Sequence, residues 1–354
     1  MGWRDARLTR VRPAVRACVG GAAGALLGAL LLLLLGKSPL AALRVAIDTV
    51  WFSPTGFVDT VLQTTPLLLI ALGYLMAYQA RIWAVGGEGQ FHLGAVAAAA
   101  VALGLSSAVP RALGLPLAIA AGVIAGTLWA AVPGWLRAYH RVNEVVTTLM
   151  SNFVGILLTL WLIRTTLRDP DIPLLQTPAF PPAFRLPSIG GGRLHLGIVL
   201  TLAVVLLVAY VAQRSHFGHW TRAIGANPHA SRAAGIRVER TVFVLVLLSG
   251  ALAGLAGAVQ VLGVTHRLLV GVSHDFGYAA IPVAVLARGQ AVAAVPIAFL
   301  FGALTVSAEA IQVDLGIPSD FIAVFTGVLV LCALASRKGN GQGWSVDECF
   351  AQEG

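Results

Sequence analysis

Long apolar runs dominate the sequence, and several of them approach the roughly 20 residues that a helix needs to cross the hydrocarbon layer of a membrane. Lipid offers the backbone no hydrogen-bond partner, so a chain that crosses it as a single segment is helical. Only 11% of the residues are charged, whereas an average soluble domain carries about a quarter. The sequence therefore predicts an all-α integral membrane protein, a polytopic bundle of about ten transmembrane helices.

The apolar runs and the basic residues between them also predict the topology. We place crossings at residues 17–35, 61–78, 92–108, 112–132, 142–163, 194–212, 241–261, 291–309 and 321–335. An apolar piece at 278–287 is too short for an ordinary crossing, so it is either part of a broken helix or a re-entrant segment. If it crosses, both termini lie on one side. Arginines before the first run, and Arg337 and Lys338 after the last, favour the cytoplasm for that side.

This topology divides the chain into a basic cytoplasmic N-terminus at 1–16, a transmembrane domain at 17–335 and a cytoplasmic tail at 336–354. Two segments between crossings are predicted to lie outside the cell. Residues 37–60 indicate an interfacial segment, and the proline-rich loop 167–193 indicates ordered but irregular structure.

The loop 214–240 holds five arginines against a single glutamate, which favours a cytoplasmic position. Part of it has the signals of a short helix. Asn227 suits the N-cap, Pro228 the first helical position, and Gly235 the left-handed residue that closes a helix. A capped polar helix between two crossings favours contact with a partner in the cytoplasm, although an ordinary solvated loop is the alternative. The histidines here lack a metal-type spacing, so we interpret them as solvated surface.

Two further polar patterns interrupt the apolar runs. The sequence VGGEGQ at 85–90 places Glu88 and Gln90 in a glycine-rich break, which is either a tight cytoplasmic turn or a non-helical element at membrane depth. The second pattern is a pair of rows at helical spacing. One row is Asn143, Thr147 and Ser151, and its neighbour is Glu144, Thr148 and Asn152.

Polar groups in lipid are costly, so these rows are expected to face a pathway or to hydrogen-bond to other helices. Gln260 is a lone polar residue near the far end of the run 241–261. In the same run Gly250 and Gly254 form a GxxxG pair, which predicts close helix packing.

Several classes of function lack their motifs. Gly36-Lys37-Ser38 is similar to the end of a phosphate-binding loop, but Leu31 stands where that loop needs glycine. The sequence lacks the Gly-x-Ser-x-Gly elbow of hydrolases, the HExxH pair of zinc proteases and a pair of carboxylates within an apolar run, so it does not suggest a membrane enzyme. The net charge of +9 comes from span ends and loops, and does not indicate nucleic-acid binding. The three cysteines lie far apart, so we assign them no metal or redox role.

Five stretches, in this order, resemble the permease subunit of ATP-binding cassette importers, in the branch that takes up nucleosides and simple sugars. They are TPL at 65–67; VGGEGQ at 85–90, close to the family's NIGAEGQ; NEVVTTLMSNF at 143–153, close to NEVISTLMLNY; RAIGANP and AAGI within 222–236; and LSGALAGLAG at 248–257. Together they extend over roughly residues 60–335. The chain departs from the family at 86–88, at 288–290, and at 277–281, where the family often has an acidic residue and this chain has none. These departures leave the cargo open.

The resemblance implies the fold of a type II importer permease and a non-catalytic role in the bacterial cytoplasmic membrane. The expected partners are cassette ATPase subunits that hold ATP and magnesium, a second related permease in a heterodimer, an extracytoplasmic substrate-binding lipoprotein and membrane lipid. No cofactor is expected in this chain. The expected cargo is a nucleoside, or alternatively a simple sugar of the ribose or galactose type. An ion-coupled secondary transporter is the competing class; it would need ionisable residues deep in several spans or an inverted repeat.

The functional residues predicted on this basis form two sets. The first is an ATPase-coupling set in the loop 214–240, where the resemblance places the coupling helix: Arg222, Gly225, Asn227, Pro228, Arg232 and Gly235. The second is a translocation-path set: Glu88, Gln90, Asn143, Thr147, Ser151, Asn152 and Gln260.

Overall fold

The computed structural model describes residues 26–30, 32–33, 36–105, 109–317 and 327, and these residues form helices joined by loops of different lengths. The named α-helices are α1 (Pro39–Ile47), α2 (Pro54–Gln79), α3 (Gly87–Gly104), α4 (Arg111–His140), α5 (Glu144–Arg164), α6 (Gly197–Arg214), α7 (His216–Ala226), α8 (Pro228–Ala233), α9 (Val238–Gln260), α10 (Phe276–Leu286) and α11 (Ala291–Leu315). Within the described ranges, six of them are long and apolar enough to cross a membrane: α2, α4, α5, α6, α9 with its extension to Thr265, and α11. The prediction of an all-α membrane protein is confirmed.

The chain divides into two compact units. The smaller unit combines Met1–Phe52 with Val306–Gly354. Its described part contains α1, a π-helix at Asp48–Phe52 and the end of α11, with a small apolar cluster of Leu32, Ala42 and Ile317. The larger unit, Ser53–Thr305, contains α2 to α10 and the first part of α11.

Within the larger unit, α2, α3 and α9 are the inner helices, and α4, α5 and α6 expose large apolar side chains such as Leu128, Leu157 and Leu206. Glycines let α3, α4 and α9 approach backbone to backbone. A Cβ atom added to Gly94 or to Gly126 would overlap the backbone of Gly254. The close packing predicted from the GxxxG pair in α9 is therefore confirmed.

Several predicted boundaries are corrected. The segment 37–60 contains α1, the π-helix and the first turns of α2, and its interfacial position stays a prediction. The helix α2 begins at Pro54 because Ser53 caps it and accepts the Gly56 N–H at 3.4 Å. The helix α4 continues past the predicted end at 132 to His140, and Arg141, with a φ of 56°, closes it.

The irregular structure predicted for the loop 167–193 is confirmed, and the short apolar piece at 278–287 is helical. Residues 167–193 are irregular, with a single turn of 3-10 helix at Pro182–Phe184 and isolated bridges from Gln176 to Leu269 and from Ser188 to His195. The short piece predicted at 278–287 is α10, which has 11 residues. At about 1.5 Å per residue such a helix covers roughly half of the hydrocarbon thickness.

Other predictions fall on residues that the structure does not describe. These are the N-terminus 1–16, most of the run 17–35, the run 321–335 apart from Gly327, the tail 336–354 and the three cysteines.

Candidate functional site

The loop 214–240 folds into two helices, α7 and α8, and α8 carries the caps that its sequence predicts. The Asn227 side-chain oxygen accepts the N–H groups of His229 at 2.9 Å and Ala230 at 3.0 Å, and Pro228 takes the first helical position. Gly235 follows with a φ of +83°. The predicted short helix is therefore confirmed as a local structure.

The two arginines of the predicted coupling set are both engaged within the chain. Arg232 pairs with Glu239 at the start of α9, with an Nη2–Oε1 distance of 2.8 Å, and both side chains are about two-fifths exposed. Arg222 donates to the Ala212 carbonyl oxygen at the end of α6. These contacts join α8 to α9 and α7 to α6, so both arginines already have a partner within the chain.

Gly225, at the end of α7, touches the end of α2. A Cβ atom at this position would overlap the carbonyl oxygen of Gln79 and would lie 3.3 Å from the Ala80 Cα atom. The absent side chain lets α7 lie directly on the backbone of α2.

A polar junction joins the starts of α3 and α10. The Glu88 Oε2 atom accepts the Gly277 N–H at 2.7 Å, and the Glu88 Oε1 atom lies 3.5 Å from the His92 Nε2 atom, one helical turn away. Both side chains are almost fully buried. A buried carboxylate is costly unless it is hydrogen-bonded, and here the first turn of α10 and the second turn of α3 supply its neighbours. The N-terminal end of a helix also favours negative charge.

The junction is held from the side by the buried polar row of α5. Asn152 accepts the Gly89 N–H at 2.9 Å and donates to the Val85 carbonyl at 2.8 Å. Glu144 lies in the same row, one helical turn before Thr148. It accepts the Trp83 N–H at 3.2 Å, and its Oε2 atom lies 3.2 Å from the Arg137 Nε atom. This row therefore satisfies the backbone of the break between α2 and α3, as expected for polar groups that hydrogen-bond to neighbouring structure.

The structure brings together Glu88, Gln90 and Asn152 of the predicted path set. Gln90 is buried beside Gly86, and its Oε1 atom has no hydrogen-bond partner. Thr147 and Ser151 lie on the neighbouring, half-buried row. Asn143 is exposed and caps α5, where its Oδ1 atom accepts the Val145 N–H at 2.9 Å. Gln260 is buried on α9, and none of the junction's hydrogen bonds described above involves it.

Sequence reasoning missed three members of the junction. His92 could have been found, because it follows Glu88 at the i, i+4 spacing of a helix. Tyr74, whose hydroxyl accepts the Gly87 N–H at 2.8 Å, and Gly277 are distant in sequence and carried no local signal. In the described ranges, no three His, Cys, Asp or Glu side chains are grouped so that they could hold a metal ion.

The loop before α6 contains a buried histidine. His195 packs against Gly263, and its Nδ1 atom accepts the Gly197 N–H at 3.1 Å. Its Nε2 atom is buried without a partner. Burial, followed by the nearby His266, lowers the pKa of His195 from 6.5 to about 4, so the ring is neutral at pH 7.

Similarity to known proteins extends over most of the chain. The family model described as "Branched-chain amino acid transport system / permease component" matches residues 56–334. The guanosine ABC transporter permease protein NupP of Bacillus subtilis is 32% identical over 78% of this chain and 80% of its own length. The glucose ABC transporter permease protein TsgB13 of Haloferax volcanii is 29% identical over 88% of this chain and 84% of its own length. The nucleoside ABC transporter permease protein NupB of Lactococcus lactis is 26% identical over 87% of this chain and 86% of its own length.

Proposed function

Because this multi-pass membrane protein belongs to the branched-chain amino acid transport system / permease component family, we propose that it is the permease subunit of an ATP-binding cassette importer for nucleosides. Two of the relatives described above are named as permeases for guanosine or nucleosides. The observation that carries the proposal is the buried junction around Glu88, which places hydrogen-bonding groups inside an apolar bundle. Ionisable groups inside membrane bundles mark substrate pathways.

In this proposal the chain itself hydrolyses nothing. Cassette ATPase subunits hold ATP and magnesium, and their closure moves the permease between outward-open and inward-open states. The coupling set is the contact with the ATPase, and its elements support this role. The helix α8 is capped at both ends and lies in a basic loop. Gly225 lets α7 contact the backbone at the end of α2, so a displacement of the loop is transmitted directly to a buried helix.

The translocation path runs past the junction in this proposal. Glu88, Gln90 and Asn152 are at the junction, and Thr147 and Ser151 are on the adjacent half-buried face of α5. The path set contains one carboxylate, that of Glu88, among amide and hydroxyl groups, which suits an uncharged cargo rich in hydroxyl and amide groups. Asn143 and Gln260 belong to the proposed path at its two ends.

The proposed assembly places the chain in the cytoplasmic membrane with both termini and the loop 214–240 in the cytoplasm. Its partners are two cassette ATPases, a second related permease in a heterodimer and an extracytoplasmic binding lipoprotein. A second permease has a surface to cover, because α5 exposes Met150, Phe153 and Trp161 beside its half-buried polar row. Lipid covers the apolar surface that remains.

A simple sugar is the second candidate cargo, and the relative named as a glucose permease favours it. The test is purification of the tagged chain in mild detergent, identification of the proteins that accompany it, and uptake of radiolabelled guanosine or glucose after reconstitution in liposomes. Recovery of an ATPase and ATP-dependent uptake of guanosine supports the proposal. ATP-dependent uptake of glucose alone selects the sugar, and ion-driven uptake by the isolated chain overturns the importer.

A further inference from the structure

We propose that Gln79, the last residue of α2, is the positioning residue that links the coupling loop (residues 214–240) to α10 and through it to the Glu88 junction. This inference rests on the proposed function, because it describes how ATP-driven movement reaches the translocation path. Two contacts meet at Gln79, one at its backbone and one at its side chain.

The backbone contact comes from the coupling loop. Gly225 lies so close to the Gln79 carbonyl oxygen that a single added methyl group would overlap it. The other neighbours of that methyl group would be the Gln79 carbonyl carbon and the Ala80 Cα atom, so every close contact is backbone and no flexible side chain can turn away. Packed backbones transmit displacement because they have no room to absorb it. Movement of α7 is therefore passed to the end of α2.

The side-chain contact leads to α10. The Gln79 Nε2 atom donates to the Gly289 carbonyl oxygen at 2.8 Å, across 210 residues of sequence. Gly289 has a φ of +77°, and a Cβ atom added to it would lie 3.2 Å from both the Cγ and the Nε2 atoms of Gln79. The Gln79 Oε1 atom is buried without a partner, so the donated hydrogen bond is what orients this amide group.

The helix α10 is bounded and anchored at both ends. Left-handed residues bound it on both sides: His274 and Asp275 before it, and Arg288 and Gly289 after it, with φ values from 45° to 77°. A hydrogen bond anchors each end of this segment to a different neighbour. Gly277, at the start, donates to Glu88 of α3, and Gly289, just beyond the last turn, accepts from Gln79 of α2. A shift at Gln79 therefore carries α10 against the Glu88 junction.

The test compares three variants in the assembled importer. Gln79→Leu removes the donor, and Gln79→Glu keeps the shape of the side chain while an ionised carboxylate accepts but cannot donate. Gln63→Leu is the matched control, a glutamine on the same helix that takes no part in these contacts and whose Oε1 atom has no partner. The first measurement is the ratio of cargo transported to ATP hydrolysed in liposomes. The second is hydrogen–deuterium exchange of residues 276–290, with and without a non-hydrolysable ATP analogue.

The wild type and Gln63→Leu are expected to show equal ratios and a nucleotide-dependent change in exchange at 276–290. Both Gln79 variants are expected to lower the ratio by about fivefold or more, the lower end of typical coupling between sites, and to abolish that change while still assembling with the ATPase. An unchanged ratio and exchange in Gln79→Leu, which has no donor, overturns the inference, as does failure of both Gln79 variants to assemble. Absence of ATP-driven uptake by the wild type counts against the proposed function instead, and the exchange measurement still decides the role of Gln79.

Discussion

Glu88 accepts the backbone N–H of Gly277 at 2.7 Å although 189 residues separate them. Each residue lies in the first turn of its helix, so one carboxylate holds the starts of α3 and α10 together. The stretch 277–281 itself lacks the acidic residue that the resembled family often has there. In this structure the carboxylate beside the start of α10 is therefore the one on α3.

Replacing Glu88 tests the junction. In Glu88→Leu the buried N–H of Gly277 loses its acceptor, which costs about 1–3 kcal/mol of folding free energy, and we expect transport to be lost. Glu88→Gln keeps an acceptor oxygen and should retain more of the thermal stability in detergent. Unfolding temperatures of the purified variants give the comparison. Equal stability of the leucine variant and the wild type would contradict the assigned contact.

Asn152 and Asn143 occupy adjacent rows of α5 but have different roles. Asn152→Leu removes two buried hydrogen bonds to the break between α2 and α3, so it should lower both stability and transport. Asn143→Ala removes an exposed helix cap, which costs about 1 kcal/mol, and the proposed path predicts a change in uptake kinetics as well. Initial uptake rates over a range of cargo concentrations separate the two effects. Unchanged kinetics in Asn143→Ala would show that this residue only caps α5. Unchanged kinetics in the double variant Asn143→Leu, Asn152→Leu would show that the two polar rows of α5 serve helix packing and not transport.

The sequence predicted the features whose signals are local. Asn227, Pro228 and Gly235 act within a few residues of one another, so the short helix α8 could be placed from its sequence alone. The start of α2 also had a local signal in Ser53 and Pro54, which the length of the apolar run obscured.

The contacts that make the site have no such signal. Asn152 reaches Val85 across 67 residues, and Gln79 reaches Gly289 across 210. A polar row on a helix shows that it needs partners, but the packing of the whole bundle decides which partners it finds. For this reason the row of Glu144, Thr148 and Asn152 could be identified, whereas its partner, the backbone of residues 83–89, could not.

The loss of folding stability at acidic pH should depend on the protonation of His195. Its folded pKa of about 4 lies below the ordinary 6.5, so the unfolded chain binds the proton first as the pH falls. Stability is therefore complete above about pH 6.5 and is lost progressively towards pH 4, by up to about 3 kcal/mol from this group. Thermal unfolding in detergent from pH 8 to pH 4 measures the loss. His195→Asn has no imidazole to titrate and should show a flatter profile, with His229→Asn, an exposed histidine, as the control. Identical slopes for all three proteins would remove His195 as the cause.

The last prediction concerns the coupling loop. Loss of its surface ion pair alone should have little effect, whereas an additional change in the first turn of α8 should impair transport. Arg232 and Glu239 are both partly exposed, and such pairs contribute about 0–1 kcal/mol, so Arg232→Gln alone should leave the folded permease intact. The double variant Pro228→Ala, Arg232→Gln also alters the first turn of α8. If α8 is the contact with the ATPase, this variant inserts into the membrane normally but loses ATP-dependent uptake. Membrane fractionation, co-purification of the ATPase and uptake assays distinguish a folding defect from uncoupling. Normal uptake by the double variant would remove the case for α8 as the contact with the ATPase.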